Sequence, residues 1–138
     1  MLINDAKHMA EDLIKRSKVA FVGSIHDEVP HIKAMLVAKR EGLKSIWFST
    51  NTSSRRVKQF LENPNACVYF CDQEKFIGLL MVGKIEVRHD KEARELVWSD
   101  GDEKYYPKGV TDPDYTVLHF TTERINIYHD LDNIDFQI

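Results

Sequence analysis

The chain has 138 residues, 43% hydrophobic and 30% charged, with a formal net charge of -3 at pH 7. That size and balance describe one globular domain, residues 1–138, with room for a proper core. The slight acidity excludes a general nucleic-acid binder, which needs a basic surplus to neutralise phosphates.

No apolar run approaches the ~20 residues that span a bilayer, and the N-terminus lacks the basic-then-apolar pattern of a signal peptide, so no membrane role and a cytoplasmic location are expected. Residues 4–16 then set Ala6, Met9, Ala10, Leu13 and Ile14 at helical spacing, with Asn4 or Asp5 placed to cap the helix. The texture changes to strands at Val19–Ile25, which stop at the polar break His26-Asp27-Glu28. A second run, Val29–Lys39, alternates up to Arg40-Glu41-Gly42 and turns into a third, Leu43–Ser49. Connections this short predict antiparallel neighbours. Within the second run His31, Lys33, Met35 and Val37 share one face, where Lys33 is either an edge lysine or an anion ligand.

The stretch that follows is the most informative. Strand formers Ile46, Trp47 and Phe48 give way to the hydroxyl and amide cluster Ser49-Thr50-Asn51-Thr52-Ser53-Ser54, and then to a helical pattern of Val57, Phe60 and Leu61 closed by Asn63-Pro64. The first turn of a helix leaves N–H groups unpaired at the positive end of its dipole, so an anion is stabilised there. Ser53, Ser54, Arg55 and Arg56 would add hydroxyl and guanidinium donors. The same residues also read as a helix cap, Thr52 or Ser53, followed by solvated arginines.

Downstream, Ala66–Phe70 and Phe76–Val87 read as strands joined at Asp72–Glu74. Gly78 and Gly83 in the longer one mark a bulge or bend of the kind that curls a sheet. His89-Asp90 begins a third helix through Ala93, Leu96 and Val97; Pro107-Lys108-Gly109 and Thr111-Asp112-Pro113 form a loop; Val117–Tyr128 is a last strand; and Asp130–Asp135 is an acidic tail. Cys67 and Cys71 would lie roughly 13 Å apart on one strand at ~3.3 Å per residue, beyond disulfide reach, and are expected as buried thiols. The six histidines are scattered without the spacing of a zinc site, so no metal is expected. With 6 glycines and no Gly-x-Gly-x-x-Gly after a strand, a Rossmann fold is disfavoured. Five to six mostly hairpin-connected strands with a helix between the third and fourth predict a mainly β, α+β architecture, a small antiparallel barrel.

The run Phe48-Ser49-Thr50-Asn51-Thr52-Ser53-Ser54-Arg55-Arg56, followed by Asn63-Pro64 and a strand, resembles the flavin-phosphate segment of the pyridoxamine 5'-phosphate oxidase-like family of FMN-binding split barrels. The run Pro30-His31-Ile32-Lys33-Ala34-Met35 resembles the family strand from which a basic residue reaches the phosphate. The resemblance extends over nearly the whole chain and is nearest in length to the general-stress-protein and pyridoxamine-oxidase-related branches. It implies a six-stranded split barrel and a homodimer with FMN in the subunit interface. It implies a phosphate held by Lys33, Ser53, Ser54, Arg55 and Arg56, and a ring near Ala34, Met35, Phe48, Ser49 and Thr50. It also implies an oxidoreductase acting on a small substrate that the residues do not identify. A flavin, deazaflavin or haem-binding sensor or storage protein, or a dimer without cofactor, are the alternatives. His31 would lie near the flavin or stand exposed on its strand, and Trp47, Trp98, Tyr105 and Tyr106 would cover a ring or pack the core. No counterpart of the family's C-terminal substrate segment occurs in Thr121–Ile138, so oxidation of pyridoxamine phosphate itself is not expected.

Overall fold

In the computed structural model, which describes residues 1–138, the first amphipathic segment forms helix α1 (Ile3–Arg16) and buries Ala6, Ala10, Leu13 and Ile14. Its N-cap is Leu2, with no side-chain cap bond; Asn4 and Asp5 lie not at the cap but inside the first turn, where the Asp5 charge favours the dipole. Strands β1 (Val19–His26) and β2 (Val29–Leu36) form a hairpin turned by Asp27 and Glu28, at φ 51° and 63°. Two consecutive positive-φ residues are the signature of a two-residue primed turn matched to strand twist.

The second expected strand is in fact two. β2 pairs with β1 up to Leu36; then Val37 N–H donates to Lys18 C=O and Ala38 N–H to Trp47 C=O, both at 2.9 Å. The chain thus changes partner in two residues, and Lys39–Glu41 (β3) continues against β4 (Ser45–Asn51). Helix α2 (Arg55–Glu62), β5 (Asn65–Asp72), β6 (Ile77–Arg88), α3 (Lys91–Val97), β7 (Tyr115–His129) and β8 (Asp132–Gln137) follow. The sheet has eight strands, not six, all paired antiparallel in the order β2-β1-β5-β6-β7-β4-β3, with β8 on β7. It does not close: β2 and β4 face each other with no ladder between them.

The acidic tail is the eighth strand. Ile134 and Phe136 alternate with Asn133 and Asp135, Phe136 is buried, and Asp130 and Leu131 make a positive-φ turn like that of the first hairpin. Its charge hid a period of two. Gly83 marks the one register shift, between Val82 and Gly83 on β6; a Cβ there would lie 1.9 Å from the Thr121 carbonyl oxygen.

Two cores result. The larger lies inside the curled sheet under α1, with Phe48, Phe70, Leu79, Met81, Leu118 and Phe120 fully buried, each such side chain contributing ~1.5–3 kcal/mol. The smaller lies on the sheet's outer side, where α3 packs Ala93 and Val97 against Trp47, Tyr106, Tyr115 and Val117. Cys67 and Cys71 are not core thiols: Ala66, Val68 and Phe70 take the inner face of β5, leaving Cys67 half-buried and Cys71 exposed. No helix is long and apolar enough to cross a membrane.

Candidate functional site

The gap between β2 and β4 is a groove of about 390 Å³. One wall is β2 and its extension, from Lys33 to Ala38; the floor is the end of β4, Ser49 to Asn51; the far wall is Val97, Ser99, Asp102, Tyr105 and Tyr106 from the segment after α3. Lys33 and Ala34 belong also to a second depression, completed by Ile32, Ser53, Ser54, Arg55 and Arg56 at the start of α2. The two form one trough, of mixed apolar and polar lining at one end and cationic at the other.

The cationic end is built by capping. Ser54 is the N-cap, not Thr52 or Ser53: its Oγ accepts from Val57 N–H at 3.4 Å and from the Thr50 hydroxyl at 3.3 Å. Because both bonds are accepted, the Ser54 proton is left to donate. The backbone N–H groups of Arg55 and Arg56 have no protein acceptor, and no acidic residue lies in the first turn. Lys33, Arg55 and Arg56 take part in none of the chain's ion pairs. Three cations, a hydroxyl donor and a helix start thus converge without a carboxylate partner.

The remaining hydroxyls have other work. Thr52 donates to Pro113 C=O at 2.8 Å and shares a 2.6 Å bond with Thr116, while Ser53 N–H and Oγ lie 3.4 Å from Asp114 Oδ1. These bonds pin the loop before α2 onto the segment before β7. Asp112 holds that segment, accepting from Asp114 N–H at 2.9 Å and Lys108 N–H at 3.1 Å, which keeps its carboxyl below the usual range.

Of the ten residues expected at a cofactor, Lys33, Ala34, Met35, Ser49 and Thr50 line the groove and Ser53, Ser54, Arg55 and Arg56 line its cationic end. Phe48 is the exception. Its side chain is fully buried in the main core and its backbone is paired with Leu118, so it supports the groove without lining it. His31 is exposed and lies on a different cavity, with Arg55 and Arg56. Trp47 packs away from the groove, stacked on His119 with ring centroids 3.6 Å apart and 7° between planes. Tyr106 is buried yet reaches the groove; burial pushes its phenol up, Asp114 and Asp102 add to that, and the Ser49 hydroxyl opposes it. Ser99 and Asp102 carried no sequence signal, since they reach the groove only because α3 folds back over Trp47 and Tyr115. No group of three or more His, Cys, Asp or Glu is placed to hold a metal ion.

The model of the pyridoxamine 5'-phosphate oxidase family matches residues 6–129. Among solved structures, a protein from Clostridium acetobutylicum related to general stress protein 26 of B. subtilis, of the pyridoxinephosphate oxidase family, is 45% identical, with a TM-score of 0.90 over 99% of this chain and 97% of that one. General stress protein 26 of Bacillus anthracis superposes with a TM-score of 0.77 at 15% identity over 95% and 98% of the two chains. A heme binding protein from Mycobacterium smegmatis does so at 0.79 with 13% identity, over 99% of this chain and 60% of that one. The last two likenesses are of fold alone. No curated protein matches the sequence.

Proposed function

Because the chain belongs to the pyridoxamine 5'-phosphate oxidase family, we propose that it is an FMN-binding flavoprotein and an oxidoreductase on a small substrate, working as a homodimer. The observation that carries this is the trough: one cavity suited to a flat ring shares Lys33 and Ala34 with another whose unpaired donors suit a dianion. A ring joined to a phosphate by a short chain has that shape. The fit has a direct structural mark, since the Ser54 hydroxyl proton and the N–H groups of Arg55 and Arg56 have no acceptor within the protein.

In this reading Lys33, Ser54, Arg55 and Arg56 hold the phosphate, and Ala34, Met35, Ser49, Thr50 and Tyr106 border the ring. Bound FMN supplies the redox chemistry, taking up a hydride or electrons and passing them on. The residues bind and orient. Tyr106, held above its ordinary pKa by burial, stays a protonated phenol at neutral pH and presents a hydrogen-bond donor beside Ser49. Asp102, on the same wall, is the one carboxylate of the groove and is suited to a cationic or hydroxylated substrate edge.

The test is the absorption spectrum of freshly purified protein, with mass identification of whatever heat releases. A flavin spectrum that bleaches with an anaerobic reductant and recovers on adding an acceptor supports a redox role. Flavin that binds but never cycles leaves a storage or sensing protein, and failure to take up FMN on titration overturns the assignment.

A further inference from the structure

Beside the flavin-phosphate end lies a separate cavity of about 310 Å³, lined by His26, His31, Arg55, Arg56, Lys58 and Gln59, with no hydrophobic residue among them. It shares the two arginines with the trough but not Lys33 or Ser54. We propose that this cavity is a second anion site, which takes the phosphate group of a small phosphorylated metabolite.

Three observations carry it. Gln59 is 5% exposed, and its Oε1 is taken by the Ser24 hydroxyl at 2.6 Å; that bond fixes the amide, and no protein group accepts from its Nε2, which is left to donate into the cavity it lines. Second, Arg55, Arg56 and Lys58 make no ion pair. The nearby carboxylates lie against His26 instead, Asp27 Oδ2 at 3.3 Å from Nε2 and Glu62 Oε2 at 3.4 Å from Nδ1, a nitrogen left without a hydrogen bond. Third, the donor set is two guanidinium forks, an ammonium and an amide, which matches the three outward oxygens of a phosphate better than a single carboxylate.

Size narrows the ligand. Pockets for drug-sized molecules run from ~300 to 1,000 Å³, so a cavity at the lower bound takes a phosphorylated metabolite of a few carbons and not a dinucleotide. The site shares Arg55 and Arg56 with the flavin-phosphate end and is set apart from it by Lys58 and Gln59, which line no part of the trough.

Calorimetric titration of the full chain with inorganic phosphate, with and without FMN, tests the proposal against two variants. Lys58→Ala, an exposed helix position where alanine favours the fold, is expected to weaken phosphate about tenfold while leaving the FMN dissociation constant within about twofold. Lys33→Ala is expected to weaken FMN about tenfold while leaving phosphate binding to the FMN-loaded protein within about twofold. Phosphate binding that FMN abolishes, that ignores Lys58→Ala, or that is undetectable at millimolar phosphate overturns the second site. If FMN fails to bind but phosphate still depends on Lys58 and not on Lys33, the flavin reading falls and this site remains.

Discussion

Single residues here often carry two duties, and the difference shows in which measurement moves. Ser54 is both the N-cap of α2 and a free hydroxyl donor; the Arg56 side chain makes no ion pair with the rest of the protein. Arg56→Ala is therefore expected to weaken FMN by about tenfold or more with an unchanged melting temperature. Ser54→Ala is expected to weaken it as well, and to cost about 1 kcal/mol of stability through the lost cap. Equal melting temperatures for the two variants in the cofactor-free protein would show that Ser54 does not cap. His119 is the residue on which pH acts. Burial holds its imidazole below the ordinary value, Arg88 adds to this, and Glu41 and Glu86 oppose it. The unfolded chain therefore takes a proton near pH 6.5 that the native state refuses. Stability should fall as the pH drops from about 6.5 toward the depressed native value, and His119→Phe, which keeps a ring on Trp47, should flatten that slope. Superimposable pH profiles for the two proteins would contradict it.

At the scale of elements, three aspartates fasten helix and turn ends, and acid should release them together. Asp72 accepts from Lys75 N–H and pairs with Arg16 of α1 at 2.7 Å; Asp90 takes the Arg88 fork and caps α3 through Ala93 N–H; Asp112 closes the loop before β7. All three carboxyls are held below their ordinary values by these bonds. Their contribution is complete above the unfolded value of about 3.9 and is lost as pH falls through the lower native ones. A second drop in melting temperature is expected below about pH 4, and Asp112→Asn should shrink it; an unchanged drop in that variant would assign the acid limb elsewhere. The elements themselves were legible to different degrees. α1, α2 and α3 and the long strands follow from periodicity, because each has one buried face. β8 and the break after Leu36 did not. The first hid behind Asp-rich charge and a turn without glycine, and the second depends on a change of partner that no local pattern encodes. The cationic end was largely legible because one continuous segment, Ser53 to Arg56, supplies most of it, with Lys33 added from β2, whereas Asp102 and Ser99 reach the groove only through the packing of α3.

For the whole molecule the decisive feature is an edge that a lone subunit leaves bare. β2 is the end of the sheet, and seven of its eight residues are exposed. On one face of the hairpin the register sets Val19 beside Leu36, Phe21 beside Ala34, Gly23 beside Ile32 and Ile25 beside Pro30, so the apolar side chains form one continuous band. Ile32 is 71% exposed and Leu36 67%, where an edge strand on a monomer would carry charge. The band runs on into an apolar cavity of about 610 Å³ that includes Cys67 and Val82. Contiguous apolar surface of this kind marks an interaction site, and a second copy, bringing the same band, would satisfy the symmetry of a two-fold dimer. Because Ile32 also lines the cationic end of the trough, the covering chain would wall the cofactor site. Light scattering at micromolar concentration should give a dimer. Ile32→Lys, at a position that can point its charge into water, should give a folded monomer with the same circular dichroism and FMN affinity weakened by about tenfold or more. A monomeric parent chain would remove the shared-site model. A variant that stays dimeric with its FMN affinity intact would move the interface off this hairpin.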